Sequence, residues 1–363
     1  MKYIDEFRDS AACRKILDKI RKISRKKANI MEICGTHTHS ISRYGIRQAL
    51  PENLRLISGP GCPVCVTSAS DIERVIRLTR GESGIIVATF GDMLRVPSLS
   101  SSLQEERAMG ADIRVVYSPL GCLSLAAENP DKEVVFYAVG FETTAPTVAA
   151  TILEAQRQGI KNLSIIPLHK LTPPAMKALL DSGDVRIDGF ICPGHVTAII
   201  GARSYEFLSA DYASPCVVAG FEPVDALLGL YMLIEQIEQG RHAIEIQYKR
   251  VVTWEGNLKA QEIINEVFAP TDAAWRGIGT IPLSGLGIKN KYSEFDAQKR
   301  FNMPECPEKE PEGCKCGRIL KGTLAPDECP LFGSQCTPET PAGPCMVSSE
   351  GTCAAYYKYR KAG

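Results

Sequence analysis

The residues best suited to chemistry in this chain are cysteines, and they are unevenly placed. Of 14 cysteines, seven precede residue 306 and seven fall from Cys306 onward. In the first group, Cys34-Gly35-Thr36-His37-Thr38-His39 follows a short apolar run. A cysteine there can serve as a thiolate nucleophile or a soft metal ligand. The bland alternative is a buried structural cysteine. Gly59-Pro60-Gly61-Cys62-Pro63-Val64-Cys65 is a sharper signal. A Cys-x-x-Cys pair can close a reversible disulfide or supply two metal ligands. Glycine lets this loop turn sharply, and proline restricts it.

Two further loops carry polar groups. Gly140-Phe141-Glu142-Thr143-Thr144-Ala145-Pro146 opens a predicted helix, with Thr144 as its N-cap and Pro146 in the first turn. Such a helix start can hold a polar or anionic ligand, although simple capping explains it as well. Pro193-Gly194-His195 places a histidine after another apolar run, and His169 sits similarly.

The C-terminal cysteines have the most specific spacing. Cys316-x12-Cys329-x6-Cys336-x16-Cys353 offers four thiolates, with Cys314 a rival first ligand. Four thiolates suit a 4Fe–4S cluster or tetrahedral zinc. The wide, unequal gaps disfavour a zinc ribbon. Cys345, paired with Cys314 or Cys316, is left as a redox dithiol beside the cluster. The stretch from Asn302 to Pro344 is rich in Pro, Gly, Glu and Lys. It cannot build a core of its own and calls for a cross-link.

These loops need elements to hold them. Short apolar runs (ANIMEI, LRLI, SGIIVAT, ADIRVVY, KEVVFYAV, LSIIP, DGFIC, SPCVVA) alternate with helical patterns such as ASDIERVIRLTR and PTVAATILEAQRQG. That alternation predicts α/β architecture with parallel sheets. Four strands in each half suggest two similar parallel-sheet domains facing a central cleft, followed by a small Cys-rich C-terminal iron–sulfur domain. The expected divisions are 1–130, 131–250 and 251–363. Every unusual loop follows a strand, where sites form in parallel sheets.

Composition narrows the class. The chain has 363 residues, 42 Lys+Arg against 42 Asp+Glu, and 44% hydrophobic residues. Zero formal charge argues against a general nucleic-acid or anionic-membrane binder. No run approaches the roughly 20 apolar residues of a membrane span, and the N-terminus lacks a signal-peptide core. A cytoplasmic protein is expected.

Together, MEICGTHTHSISRYGI, PENLRLISGPGCPVCV, TFGDMLRVP, DIRVVYSPL, VGFETTAPT, PGHVTAIIG, VVAGFEP, RGIG, CPLFGSQC and MVSSEGTCAAYY closely resemble the HypD family of nickel–iron hydrogenase maturation factors. The resemblance runs from about Ile30 to Tyr359. It implies a scaffold that works with the small chaperone HypC to assemble an Fe(CN)2CO group. Cyanide would come from HypE, and the finished unit would pass to the hydrogenase large subunit. The family's CGxHxH cysteine falls on Cys34, implying an iron ligand shared with HypC. Its GPGCPVC cysteines fall on Cys62 and Cys65, a redox dithiol. The tail cysteines would hold the 4Fe–4S cluster, with Cys316 favoured over Cys314.

Thiolates are natural ligands for a soft iron centre. Backbone N–H groups, His37, His39, Thr143, Thr144 and His195 are candidate hydrogen-bond donors to cyanide, and Glu142 completes the candidate catalytic set. Three competing readings remain. A zinc hydrolase would use His37, His39, His169 and His195 in an eight-stranded barrel. An iron–sulfur thiol/disulfide oxidoreductase would use the tail and Cys62–Cys65. A scaffold with a purely structural zinc tail is the third.

Overall fold

The computed structural model describes residues 5–303 and 305–359. Its strands are β1 (Ala28–Glu32), β2 (Leu54–Ser58), β3 (Ile85–Thr89), β4 (Ile113–Val115), β5 (Glu133–Gly140), β6 (Leu163–His169), β7 (Gly189–Pro193), β8 (Cys216–Ala219), β9 (Ile244–Ile246), β10 (Phe268–Trp275) and β11 (Gly279–Ile288). All eight expected runs form strands. Most are apolar on both faces, as parallel strands covered by helices must be. Residues 134–138 of β5, for example, are wholly buried.

The strands assort into two all-parallel sheets and one hairpin. The first sheet has the order β2-β1-β7-β8-β9 and the second β4-β3-β5-β6. β10 and β11 pair antiparallel. The α/β class is as expected, but four consecutive strands per sheet is not what forms. The chain lays β1 and β2, leaves to build the whole second sheet, and returns with β7. A cut at residue 130 falls between β4 and β5, which flank β3 in one sheet. The physical reason is that apolar runs mark strands without naming partners. β1 accepts β7 because Ile30 and Met31 are buried between flanking strands, leaving an edge for Gly189 and Phe190.

The intervening helices follow their sequence signals. Ala145–Gln158 starts with Pro146 in its first turn and stops at Gly159, whose φ of 72° suits glycine. The basic N-terminal helix spans Ser10–Ile23 and buries Ile16 and Ile20. Among the described residues no helix is long and apolar enough to cross a membrane.

The hairpin and the C-terminal segments lock the two sheets together. Gly285 bridges Lys170 just past β6, and Trp275 bridges Thr67 just past the Cys-x-x-Cys turn. Trp275 stacks on Phe141 at 6.0 Å, and its Nε1 donates to Ser284 Oγ at 2.8 Å. One continuous core includes Cys62, Cys65, Phe141, Val196, Trp275, Cys316 and Cys345. It therefore draws on the second sheet, on the turns and helices that follow β2 and β7 of the first, and on the tail. Fully burying Phe141 and Trp275 contributes roughly 1.5–3 kcal/mol each.

Candidate functional site

The end of β1 presents Cys34 at the start of helix Gly35–Arg43. Beneath it lies Glu32, a fully buried carboxyl group. Glu32 accepts from Cys34 N at 3.1 Å and Thr38 Oγ1 at 2.5 Å. Burial raises the Glu32 carboxyl to about 7, and it pushes the Cys34 thiol up to about 12. At rest Cys34 is therefore a protonated thiol. A soft cation that replaces the proton would turn it into a ligand.

The Cys-x-x-Cys loop lies against this residue. Gly61 O accepts from Gly35 N at 2.8 Å. A methyl group on Gly61 would stand 2.1 Å from Cys34 N and 2.4 Å from its Cα. Glycine is thus required by contact; Gly61 has no positive φ. Cys62 and Cys65 form a disulfide with their Cα atoms 5.2 Å apart. The turn Pro63–Val66 between them is capped by Cys62 Sγ, which accepts from Cys65 N at 3.2 Å.

A third segment closes the group. Cys65 Sγ lies 3.9 Å from Pro344 O, and Thr36 Oγ1 donates to Glu350 at 2.8 Å. Residues around Cys34, Cys62–Cys65 and Pro344–Glu350 thus touch one another, although they are far apart in sequence.

The two histidines of CGTHTH separate. In a helix, positions two apart point to different faces. His37 is fully buried, with Nε2 2.9 Å from Gly220 O. Burial lowers it to about 4, so it is neutral. His39 turns instead toward Ser349 O and the Tyr359 hydroxyl, at 3.3 and 3.1 Å. His195 is exposed and rests on Phe221 at 4.0 Å, while His37 meets the same ring at 4.7 Å. His169 lies at the end of the other sheet against Phe268. Among the described residues no three His, Cys, Asp or Glu groups converge as a single-ion site. Two separate sheets and diverging histidines do not make the barrel hydrolase site.

The GFETT loop contributes differently from its expected role. Thr144 occupies the N-cap position without capping. Its hydroxyl donates back to Phe141 O at 3.1 Å. Thr143 is exposed. Glu142 is buried and accepts from Thr172 N at 2.7 Å and Thr172 Oγ1 at 3.0 Å. It ties the ends of β5 and β6 together. Burial raises the Glu142 carboxyl from 4.5 to about 7. Between those values the folded chain keeps a proton that the unfolded chain has released. Stability therefore falls as pH rises through this window, by about 3 kcal/mol in all. Glu142→Gln is expected to remove that share of the decline, read as urea midpoints against pH. Identical slopes for the two proteins would refute the assignment.

In the tail, Cys314, Cys316, Cys329, Cys336, Cys345 and Cys353 line one cavity whose other walls include Ile319, Leu331, Phe332 and Met346. Cys316 Sγ and Cys345 Sγ are 2.7 Å apart. Cys336 Sγ accepts from Ala342 N at 3.3 Å. Thiols of Cys314 and Cys345 donate toward Cys316 and hold it below the ordinary thiol range, helped by buried Arg276. All the cysteines expected to act in the tail are therefore brought together. The residues not anticipated are Glu32, Glu350, Phe221 and Arg276. Glu32 alone had a visible signal, a charge ending an apolar strand.

The HypD family profile, described as "Hydrogenase formation hypA family", matches residues 11–360. The chain is 47% identical to Hydrogenase maturation factor HypD2 of Bradyrhizobium diazoefficiens, with 99% of this chain and 97% of that protein aligned. Hydrogenase maturation factor HypD of Azotobacter vinelandii is 47% identical over the same shares. That of Cupriavidus necator is 46% identical, again over 99% and 97%. The chain belongs to the HypD family of hydrogenase maturation factors.

Proposed function

We propose that this protein is a scaffold on which an Fe(CN)2CO group is assembled for a hydrogenase large subunit. Cys34 holds the iron, which is cargo, together with a thiolate from HypC, and HypE delivers cyanide. The carrying observation is the contact of three cysteine-bearing segments, with Gly61 of the disulfide loop pressed on the backbone of Cys34. A carrier of iron that also handles electrons needs this adjacency. Reducing the Cys62–Cys65 disulfide takes two electrons and two protons and yields two thiols.

The tail suits a 4Fe–4S cluster. Its cavity is lined by thiols and apolar side chains, and a backbone N–H already points at one sulfur. Such hydrogen bonds stabilise thiolate ligands. The 2.7 Å approach of Cys316 to Cys345 supports these two as the dithiol. That leaves Cys314, Cys329, Cys336 and Cys353 as the cluster ligands, with Cys314 in place of Cys316. The cluster would supply electrons one at a time to the disulfide form of each cysteine pair, two electrons and two protons restoring the thiols. Cys345 adjoins Pro344, whose carbonyl Cys65 touches, so the two dithiols are neighbours.

The test is infrared spectroscopy with iron analysis on anaerobic protein co-expressed with HypC. Cyanide and CO bands are expected in wild type and absent in Cys34→Ala, with tail iron retained in both. Bands that persist in Cys34→Ala would refute the iron site. Wild type with tail iron and no bands would favour an iron–sulfur thiol/disulfide oxidoreductase, the reading that the observed disulfide also supports.

A further inference from the structure

A second polar chamber lies outside the cysteine groups described above, although Cys306 lines it. Its volume is about 620 Å³, within the range of small-molecule sites. The first two turns of helix Ala69–Gly81 contribute Asp71 and Arg74, and Lys170 follows directly on β6. The hairpin β10–β11 forms another wall, and Glu308 of the connector stands at the rim.

The chamber also carries Asp272, Asp296 and Glu305, and Lys299 pairs with Asp296, but Lys170 and Arg74 meet Asp71 only at long range. Lys170 is only 2% exposed, although it carries an ammonium group. Its Nζ lies 3.8 Å from Asp71 Oδ2, too far for a good hydrogen bond. Arg74 Nη1 is 3.7 Å from Asp71 Oδ1, and among the described residues Arg74 Nε has no partner. Asp71 lies between the two cations at distances that satisfy neither, and Glu308, which also faces Lys170, spends its carboxylate oxygens on Ala69 N and Ser70 N. A buried cation is kept paired unless something else completes its shell. The helix start is not the vacancy, because Glu308 already accepts from Ala69 N and Ser70 N at 3.1 and 3.0 Å. What is unfilled is the donor set of Lys170 and Arg74.

We propose that this chamber binds a small oxyanion, a phosphate or carboxylate group, on Lys170 and Arg74. Such a ligand would supply the acceptors that Asp71 alone does not. Both side chains donate only, so a neutral apolar ligand would leave them worse off.

The experiment is calorimetric titration of the full chain with inorganic phosphate and, separately, with malonate. Saturable binding of at least one is expected. Lys170→Met and Arg74→Gln should each weaken it about tenfold, the size of one lost charge-assisted hydrogen bond. Tighter phosphate binding assigns a phosphoryl ligand, and tighter malonate binding a carboxylate. No saturable binding to wild type would overturn the proposal. Equal binding by wild type and both variants would also overturn it, marking an adventitious ion only. Should Lys170→Met fail to fold, Arg74→Gln, whose side chain is partly at the surface, decides alone.

Discussion

Gly61→Ala will cost about 3 kcal/mol of stability and, on the proposed function, will abolish the cyanide and CO bands of the co-expressed complex. The added methyl would sit 2.1 Å from Cys34 N, against backbone at the end of a central strand. Neither side can yield cheaply. The loop is closed by the Cys62–Cys65 disulfide, and Cys34 N is committed to Glu32. Gly59 gives the contrast two residues away. There a methyl meets Ile33 Cδ1 and Met31 Sδ, the movable ends of side chains, at 2.5 and 2.8 Å. Gly59→Ala should therefore be the milder change. Urea unfolding of both variants, with infrared bands on the co-expressed complex, checks the pair. A Gly61→Ala protein as stable as wild type and still carrying the bands would sink the contact argument.

The second large effect separates Cys314 from Cys316. Cys314→Ser should lower the cluster iron well below the roughly four atoms per chain of an intact cluster. Cys316→Ser should keep that iron and lose instead one reversible thiol pair with Cys345. Iron analysis and thiol titration under reducing and oxidising conditions read the two quantities separately. The opposite pattern would return Cys316 to the cluster, the assignment that spacing alone favours.

That contrast shows where sequence stops being informative. The strands were legible because runs such as VVFYAV have one stable use in a chain of this kind, burial between helices. The loops after them were legible as strand-end loops for the same reason. Partner choice was not, because nothing in ANIME says that it will pair with GFICP, more than 150 positions away. The tail cysteines do lie together around one cavity. The approach of Cys316 to Cys345 depends on the fold of the Pro344–Val347 turn and has no linear trace. His37 and His39 looked like a pair until the helix beginning at Gly35 turned them apart. Glu142 read as a site residue, yet its carboxyl is spent on Thr172.

The interleaved strand order has a consequence for how this protein is made. On the ribosome, the second sheet is complete once His169 has emerged, since its four strands lie between Ile85 and His169. The first sheet must wait. β1 and β2 appear early, but β7, the strand that covers the open side of β1, is synthesised only after the other sheet is finished. Long-range pairing of this kind is slow to form. Cys34 and the Cys62–Cys65 loop therefore emerge well before their surroundings exist. The cysteine-rich tail, translated after both sheets, closes over a framework that is already standing. The segments around Cys34, Cys62–Cys65 and Pro344–Glu350 meet only once the tail has been made, so a chain cut before the tail cannot assemble this group.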